Sequence, residues 1–263
     1  KNFKDVNDLK LFYDNKKKIH FDKKYNFIAD PFFFKKKLIF EITLNFSQRG
    51  KLGILTKKGI KILKNNFRHI SFPSVLSITT NKIKKDLIIP EVAKFSSPNI
   101  YTLKKDKLKL YSKLKIENYP KILDPILFNH KKNFFLFGND IRYPEILNLW
   151  IADSLNSVFK FHPSSPLKIS PFGSRMAGNI LILNKKIIRV GQNNLGSYGN
   201  GIVFYEIKDL TEKKYNEIFI SKFNNEKLNG PHTFSFNNEN KEIAIDYYIN
   251  KFSLFSIITK LNS

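Results

Sequence analysis

Apolar residues in this chain fall in short runs broken by polar turns, with no long amphipathic helical pattern. The clearest case is Ile28-Ala29-Asp30-Pro31-Phe32-Phe33-Phe34, then Lys35-Lys36-Lys37, then Leu38-Ile39-Phe40-Glu41-Ile42. Two apolar runs too short for helices, joined by a polar turn, predict a β-hairpin. Pro31 suits a first-strand position that needs no ladder donor. Asp30 breaks the pattern: an ionisable group stands where the chain enters an apolar strand.

The pattern returns. Ile122-Leu123-Asp124-Pro125-Ile126-Leu127-Phe128 precedes a polar turn and Phe134–Gly138. Weaker copies start at Ser71-Phe72-Pro73, at Ala177-Gly178-Asn179 and at Gly230-Pro231-His232, each followed by a polar turn and a second apolar run. Taking 30, 72, 124, 177 and 232 as equivalent gives intervals of 42, 52, 53 and 55 residues. Periods of about 40 to 50 residues, each a set of short strands, are the mark of propeller blades. The chain therefore reads as all-β, a five-bladed β-propeller forming one domain over residues 1–263.

Within this plan Gly53–Thr56 continues the first blade. Asn99–Leu103 and Leu108–Leu114 are the third and fourth strands of the second. Leu147–Ala152 and the edge segment Val158–Phe161 complete the third, and Pro163, Pro166 and Pro171 mark a long crossing. Gly201–Ile207 belongs to the fourth, and Asp209–Tyr215 is expected to form a helical turn or two. The last unit holds strands at 232–236, 243–248 and 252–259, so a strand from residues 1–22 is expected to close the ring.

Charge changes this picture less than its size suggests. The 263 residues carry a formal charge of +24, yet only five of the 46 basic residues are arginine, at 49, 68, 142, 175 and 189. Lys, Asn, Ile and Phe are abundant together, as A- and T-rich codons would make them. Many lysines fall in hairpin turns, where a solvated tip that also guards edge strands is the ordinary expectation. No nucleic-acid role is expected; peripheral contact with an anionic surface is. No apolar run reaches the roughly 18 residues of a membrane span. Absence of cysteine excludes disulfides and suggests a reducing, cytoplasmic setting, at a membrane surface if the anionic contact is made. The start at Lys1 carries no targeting segment and suggests excision from a longer chain. With no Gly-rich phosphate loop and no metal-ligand spacing, neither cofactor nor metal is expected.

In a propeller the first strand of each blade lines the channel, so equivalent residues converge on one mouth. Asp30 and Asp124 hold such positions, with His232 in the fifth unit; second strands offer Glu41, Glu91, Gln192 and Asp246. Asp before Pro also serves as a turn cap. Convergent carboxylates are what glycoside chemistry needs. Where lysine supplies nearly all positive charge, a retained arginine implies use of its bidentate fork. Arg175 and Arg189 would hold a substrate carboxylate or phosphate, or pair with a channel carboxylate. Trp150 and most phenylalanines suit interblade packing.

Ala29-Asp30-Pro31-Phe32, Ile89-Pro90-Glu91, Leu123-Asp124-Pro125, Ile151–Leu155, Arg175-Met176-Ala177-Gly178, Gly191-Gln192, Ser197-Tyr198-Gly199 and Pro231-His232-Thr233 run in order through the chain. On these stretches it resembles the N-terminal domain family of glucosamine inositolphosphorylceramide transferases, and in arrangement the five-bladed propellers of family-43-type glycosidases. The resemblance implies a carbohydrate role in making surface glycans or glycolipids, with a glycan, glycolipid or nucleotide sugar as partner. It also implies a fused or associated transferase domain, outside this chain. Asp30 and Glu91 would be the working carboxylates, tuned by Asp124, with Glu41, Arg175, Arg189, Gln192, Tyr198, His232 and Asp246 on the substrate. The second unit departs from the glycosidase pattern by carrying Phe72-Pro73 where an acid is usual. A non-catalytic glycan- or partner-binding module is the rival reading.

Overall fold

The computed structural model describes residues 24–80, 83–224, 230–239 and 241–247, with Val6 and Asp22. Blade one is β1 (Tyr25–Phe34), β2 (Lys37–Leu44), β3 (Lys51–Thr56) and β4 (Gly59–Ile62), paired in that order. Blade two repeats this with β5 (Ser71–Thr80), β6 (Ile83–Glu91), β7 (Ile100–Lys104) and β8 (Lys107–Ser112). A short β9 (Lys115–Ile116) then reaches forward to the outer edge of blade three, which is β10 (Ile122–His130), β11 (Asn133–Asp140), β12 (Ile146–Ala152) and β13 (Val158–Phe161). β14 (Lys168–Ile169) pairs β12. Blade four splits its first strand into β15 (Phe172–Met176) and β16 (Leu181–Leu183), both paired with β17 (Lys186–Asn193), and adds β18 (Ile202–Leu210) and β19 (Tyr215–Phe223). Blade five contributes β20 (Phe234–Asn237) and β21 (Glu242–Ile245).

First strands line up around one axis. β1 packs on β5, β5 on β10, β10 on β15, and β20 returns to β1. The Phe234 N–H donates to the Ala177 carbonyl at 2.6 Å, joining blades four and five. Between blades the filling is apolar: Phe32 meets Phe72 edge-to-face at 5.0 Å, and Phe204 meets Phe234 at 5.4 Å. Trp150 is fully buried against Phe161, the packing role expected of it. The arrangement is the expected β-propeller, and no residue described is in an α-helix. The expected ring-closing strand at 1–22 and the strand at 252–259 lie outside the described residues.

Two expectations need correction. Asp209–Tyr215 makes no helical turn; it ends β18, turns at 211–214 and begins β19, whose exposed alternation resembles a helix start only by composition. Position 177 is not the fourth equivalent of 30, 72 and 124. Those three each stand in the left-handed region (φ 52°, 40° and 47°), at a bulge where β1, β5 and β10 slip against their partners. In blade four the matching slip follows Phe172, so Gly173 (φ 88°) is the equivalent and Ala177 lies in the gap of the split strand. Likewise His232 precedes β20 rather than lying in it.

Candidate active site at the channel mouth

A bulge sets two residues against one and takes a main-chain N–H out of the ladder. At Asp30 and Asp124 the freed N–H donates to the acid of the preceding blade. Asp124 N–H meets Glu91 Oε2 at 2.9 Å, and Asp30 N–H meets Asp246 Oδ2 at 3.0 Å. Glu91, ending β6, and Asp246, which follows β21 rather than lying in the expected second strand, thus clasp the first strands of blades three and one. Asp246 Oδ1 also accepts the N–H groups of His232 (3.1 Å) and Thr233 (2.8 Å). Asp246 thus latches blade five to blade one, beside Ser235 Oγ, which accepts the Phe33 N–H at 3.2 Å.

Around this clasp the side chains converge. His232 lies between two acids, Nε2 3.1 Å from Asp30 Oδ1 and Nδ1 3.1 Å from Asp246 Oδ2. The Thr233 hydroxyl, fully buried, donates to Asp30 Oδ1 at 2.7 Å. Across the mouth Asp124 Oδ2 accepts from Arg175 Nε at 2.6 Å and from Gln192 Nε2 at 3.0 Å. Gln192 is held in turn by the Met176 carbonyl at 2.9 Å. Tyr198 stands at the rim, 56% exposed, with its ring 5.7 Å from the His232 ring. Glu41 is seated beside Gly50, where a Cβ would strike both its carboxylate and the Ile70 carbonyl.

Five carboxyl groups therefore share one mouth with two cations, and protons redistribute accordingly. Burial, then repulsion from Asp30 and Glu91, pushes Glu41 up to about 9. Burial, then Asp124, pushes Glu91 up to about 8, against the pull of Arg175. Burial also raises Asp124, with Arg175 opposing. Burial works against the His232 imidazolium and the Asp246 carboxylate, yet their mutual attraction wins: His232 rises well above 6.5 and Asp246 falls below its ordinary value. Near neutral pH the mouth thus holds protonated Glu41 and Glu91 beside an imidazolium, so proton donors and carboxylate acceptors stand side by side. Asp30, His232 and Asp246 bring ligand atoms within 4.8 Å of one another and could surround a cation. Here the imidazolium itself supplies the positive charge between the two carboxylates.

Of the ten side chains expected at the site, nine come together: Asp30, Glu41, Glu91, Asp124, Arg175, Gln192, Tyr198, His232 and Asp246 all touch the mouth or its electrostatic field. Arg189 does not. It lies three residues before Gln192 on β17, hence on the opposite face. There it is fully buried, forked onto Glu217 at 2.6 Å through Nε and Nη2 and donating to the Gly173 carbonyl at 2.7 Å. Its fork is used, as its scarcity implied, but on a structural acid outside the channel. Thr233 was not singled out; its signal was adjacency to His232 in the Pro-His-Thr stretch.

Residues 16–244 match the family model described as glucosamine inositolphosphorylceramide transferase 1, N-terminal. The chain belongs to that family. Glucosamine inositolphosphorylceramide transferase 1 of Oryza sativa subsp. japonica is 26% identical over 211 residues, covering 73% of this chain and 28% of the relative. The Arabidopsis thaliana protein of the same name is 24% identical over 211 residues, covering 73% and 27%. The chain thus spans little more than a quarter of these relatives. The family match takes in every mouth residue except Asp246, which follows its end. Among solved structures, an exo-β-1,3-galactanase from Phanerochaete chrysosporium is 13% identical with a TM-score of 0.48, covering 86% of this chain and 53% of that one. A Dyadobacter fermentans protein of unknown function reaches 0.48 at 8% identity, covering 88% and 93%. The propeller assignment rests on the ring of sheets itself. Family membership puts the chain in a carbohydrate-related setting.

Proposed function

We propose that this family member takes a glycan, a glycolipid headgroup or an activated sugar at the acid mouth and carries out acid–base chemistry on it, in the making of surface glycans or glycolipids. The observation that carries this reading is the convergence of acids from four blades with protons unequally shared among them. Glu91, protonated near neutral pH, is suited to donate to a leaving oxygen. Asp30, beside the His232 imidazolium and the Thr233 hydroxyl, is suited to act as base or nucleophile. Asp124, tied to Arg175, raises Glu91 by repulsion.

A specific observation favours a second reading, a binding module accompanying a transferase domain. Asp30 Oδ1 and Asp124 Oδ2 each already accept two contacts within the protein. Turnover and binding measured side by side on a panel of glycans and nucleotide sugars separate the two. In the catalytic reading Asp30→Asn lowers turnover by at least ~100-fold with little change in sugar affinity. Unimpaired turnover in Asp30→Asn overturns that role. Sugar binding without turnover in the parent chain, with Asp30→Asn altering affinity alone, establishes the module.

A further inference from the structure

Successive hairpins of a blade leave at opposite ends, so the turns after all five first strands emerge on the face opposite the acid mouth. That placement has local support: the blade-two and blade-five turns meet through Lys84 and Glu239 at 2.6 Å, and the Asn237 amide reaches the Lys35 carbonyl at 3.5 Å. The blade-four turn at 211–214 joins the same face, with Glu212 accepting from Asn133 beside the blade-three turn at 3.1 Å.

Lysine dominates these tips, and codon composition does not account for where it sits. Lys35, Lys131, Lys185 and Lys241 stand in the first hairpins of blades one, three, four and five, all with φ between 56° and 65°. Short hairpins that need positive φ are served best by Gly, Asn or Asp. Asparagine is as A- and T-rich in its codons as lysine and fits this backbone better, yet of the five described non-glycine residues with positive φ in these first hairpins four are lysine and one, Asn184 (φ 49°), is asparagine. Each of these lysines is exposed, as are Lys213 and Lys214 on the neighbouring turn. No arginine shares the face: Arg49, Arg68 and Arg142 lie in loops at the mouth end, Arg175 in the mouth, and Arg189 is buried.

We propose that this lysine face is a docking surface for an anionic phospholipid bilayer, holding the propeller with its acid mouth turned away from the membrane. Charge complementarity selects the occupant. Point-charge ammonium groups on separate tips of one face suit a broad, diffuse negative surface, whereas discrete phosphates of a nucleic acid favour the guanidinium fork that this face lacks. Docked this way the mouth cannot reach a glycolipid headgroup of the same membrane and is left for a glycan or an activated sugar; failure of the docking leaves the sugar reading standing.

The test is co-sedimentation of the 263-residue chain with phosphatidylcholine vesicles, with and without phosphatidylserine, over a salt series. The fourfold variant Lys35→Asn, Lys131→Asn, Lys185→Asn, Lys241→Asn removes four charges while giving each left-handed position a residue that favours it, so folding is kept. A matched control, Lys51→Gln, Lys94→Gln, Lys121→Gln, Lys222→Gln, removes four charges from the mouth end. Binding to the anionic vesicles alone, weakened on the order of 100-fold by the face variant and far less by the control, is expected. Equal loss in both variants means net charge rather than a face, and overturns the proposal. So does absence of anionic-vesicle binding at low salt. Displacement from vesicles by duplex DNA at lower charge concentration than by free phosphatidylserine vesicles overturns the lipid assignment in favour of nucleic acid.

Discussion

The channel mouth and the interior of blade four both bury an arginine against a carboxylate, and they end in opposite states. In blade four one guanidinium forks onto one acid, with the Lys168 ammonium 3.9 Å from the same carboxylate. Arg189 forks onto Glu217, the Tyr215 hydroxyl donates to the same carboxylate at 2.6 Å, and the guanidinium lies 4.5 Å from the Tyr205 ring centre. Burial opposes the charge on Glu217, but Arg189 overcomes it and holds that carboxyl below its ordinary value. At the mouth, Arg175 and His232 face five carboxyl groups, and two of these climb to about 8 and 9. A balanced buried pair is structural by construction. A surplus of acids gathered at one end of the ring holds protons at the cost of stability, an environment that physical reasoning associates with functional sites.

The largest expected effect breaks the balanced pair. Glu217→Ala leaves a fully buried guanidinium without its counter-charge and should destabilise the fold by about 3–5 kcal/mol in denaturant unfolding. Close behind is Asp246→Ala, which strips acceptors from three main-chain N–H groups and from His232; a loss of about 3 kcal/mol is expected, with the latch between blades five and one the first part to exchange amide hydrogens. Loss below about 1 kcal/mol for either would remove that residue from its structural role.

The pH dependence of stability separates the two regions. A folded-state value raised above 4.5, as at Glu41 and Glu91, gives a contribution present at acid pH and lost as pH rises toward 8 and 9. His232, raised above 6.5, adds to the same alkaline loss. Glu217 and Asp246, lowered in the folded state, contribute above their ordinary values and lose that contribution as pH falls. Glu41→Gln should therefore flatten the alkaline limb by an amount on the order of 2 kcal/mol and leave the acid limb in place. Glu217→Gln should do the reverse. An alkaline limb unchanged in Glu41→Gln would show that this carboxyl ionises in the fold like an ordinary one. The smallest stability effect belongs to Tyr198→Phe, within about 0.5 kcal/mol for so exposed a ring; a drop in sugar affinity without a drop in stability would mark Tyr198 as a contact.

Much of this mouth was legible in the sequence because each acid interrupts an apolar run at a repeated place. Asp30 and Asp124 announce themselves before Pro and a Phe- or Ile-led strand, and Glu41 and Glu91 sit where second strands should be wholly apolar. Blade four was misaligned because its first strand is broken, and spacing arguments presume an unbroken one. Arginine scarcity pointed to Arg175 and Arg189 but could not name their partners; Arg189 uses both arms of its fork, Arg175 meets its acid through Nε, and Arg142 also forks, onto Asp140. Arg175 found Asp124; Arg189 found Glu217, which lies on β19, a strand whose exposed positions obscured its pairing. Asp140, the last residue of β11, pairs with Arg142 at 2.8 Å.

The account stands most directly on the protonation of Glu41 and Glu91. Side-chain carboxyl carbons followed by NMR across a pH titration, assigned through Glu41→Gln and Glu91→Gln, read it without any substrate. Midpoints near 9 for Glu41 and near 8 for Glu91 are predicted, with Glu217 titrating below 4.5 in the same samples. Ordinary midpoints for both mouth glutamates, near 4.5, would contradict the picture of an acid surplus that holds protons for chemistry.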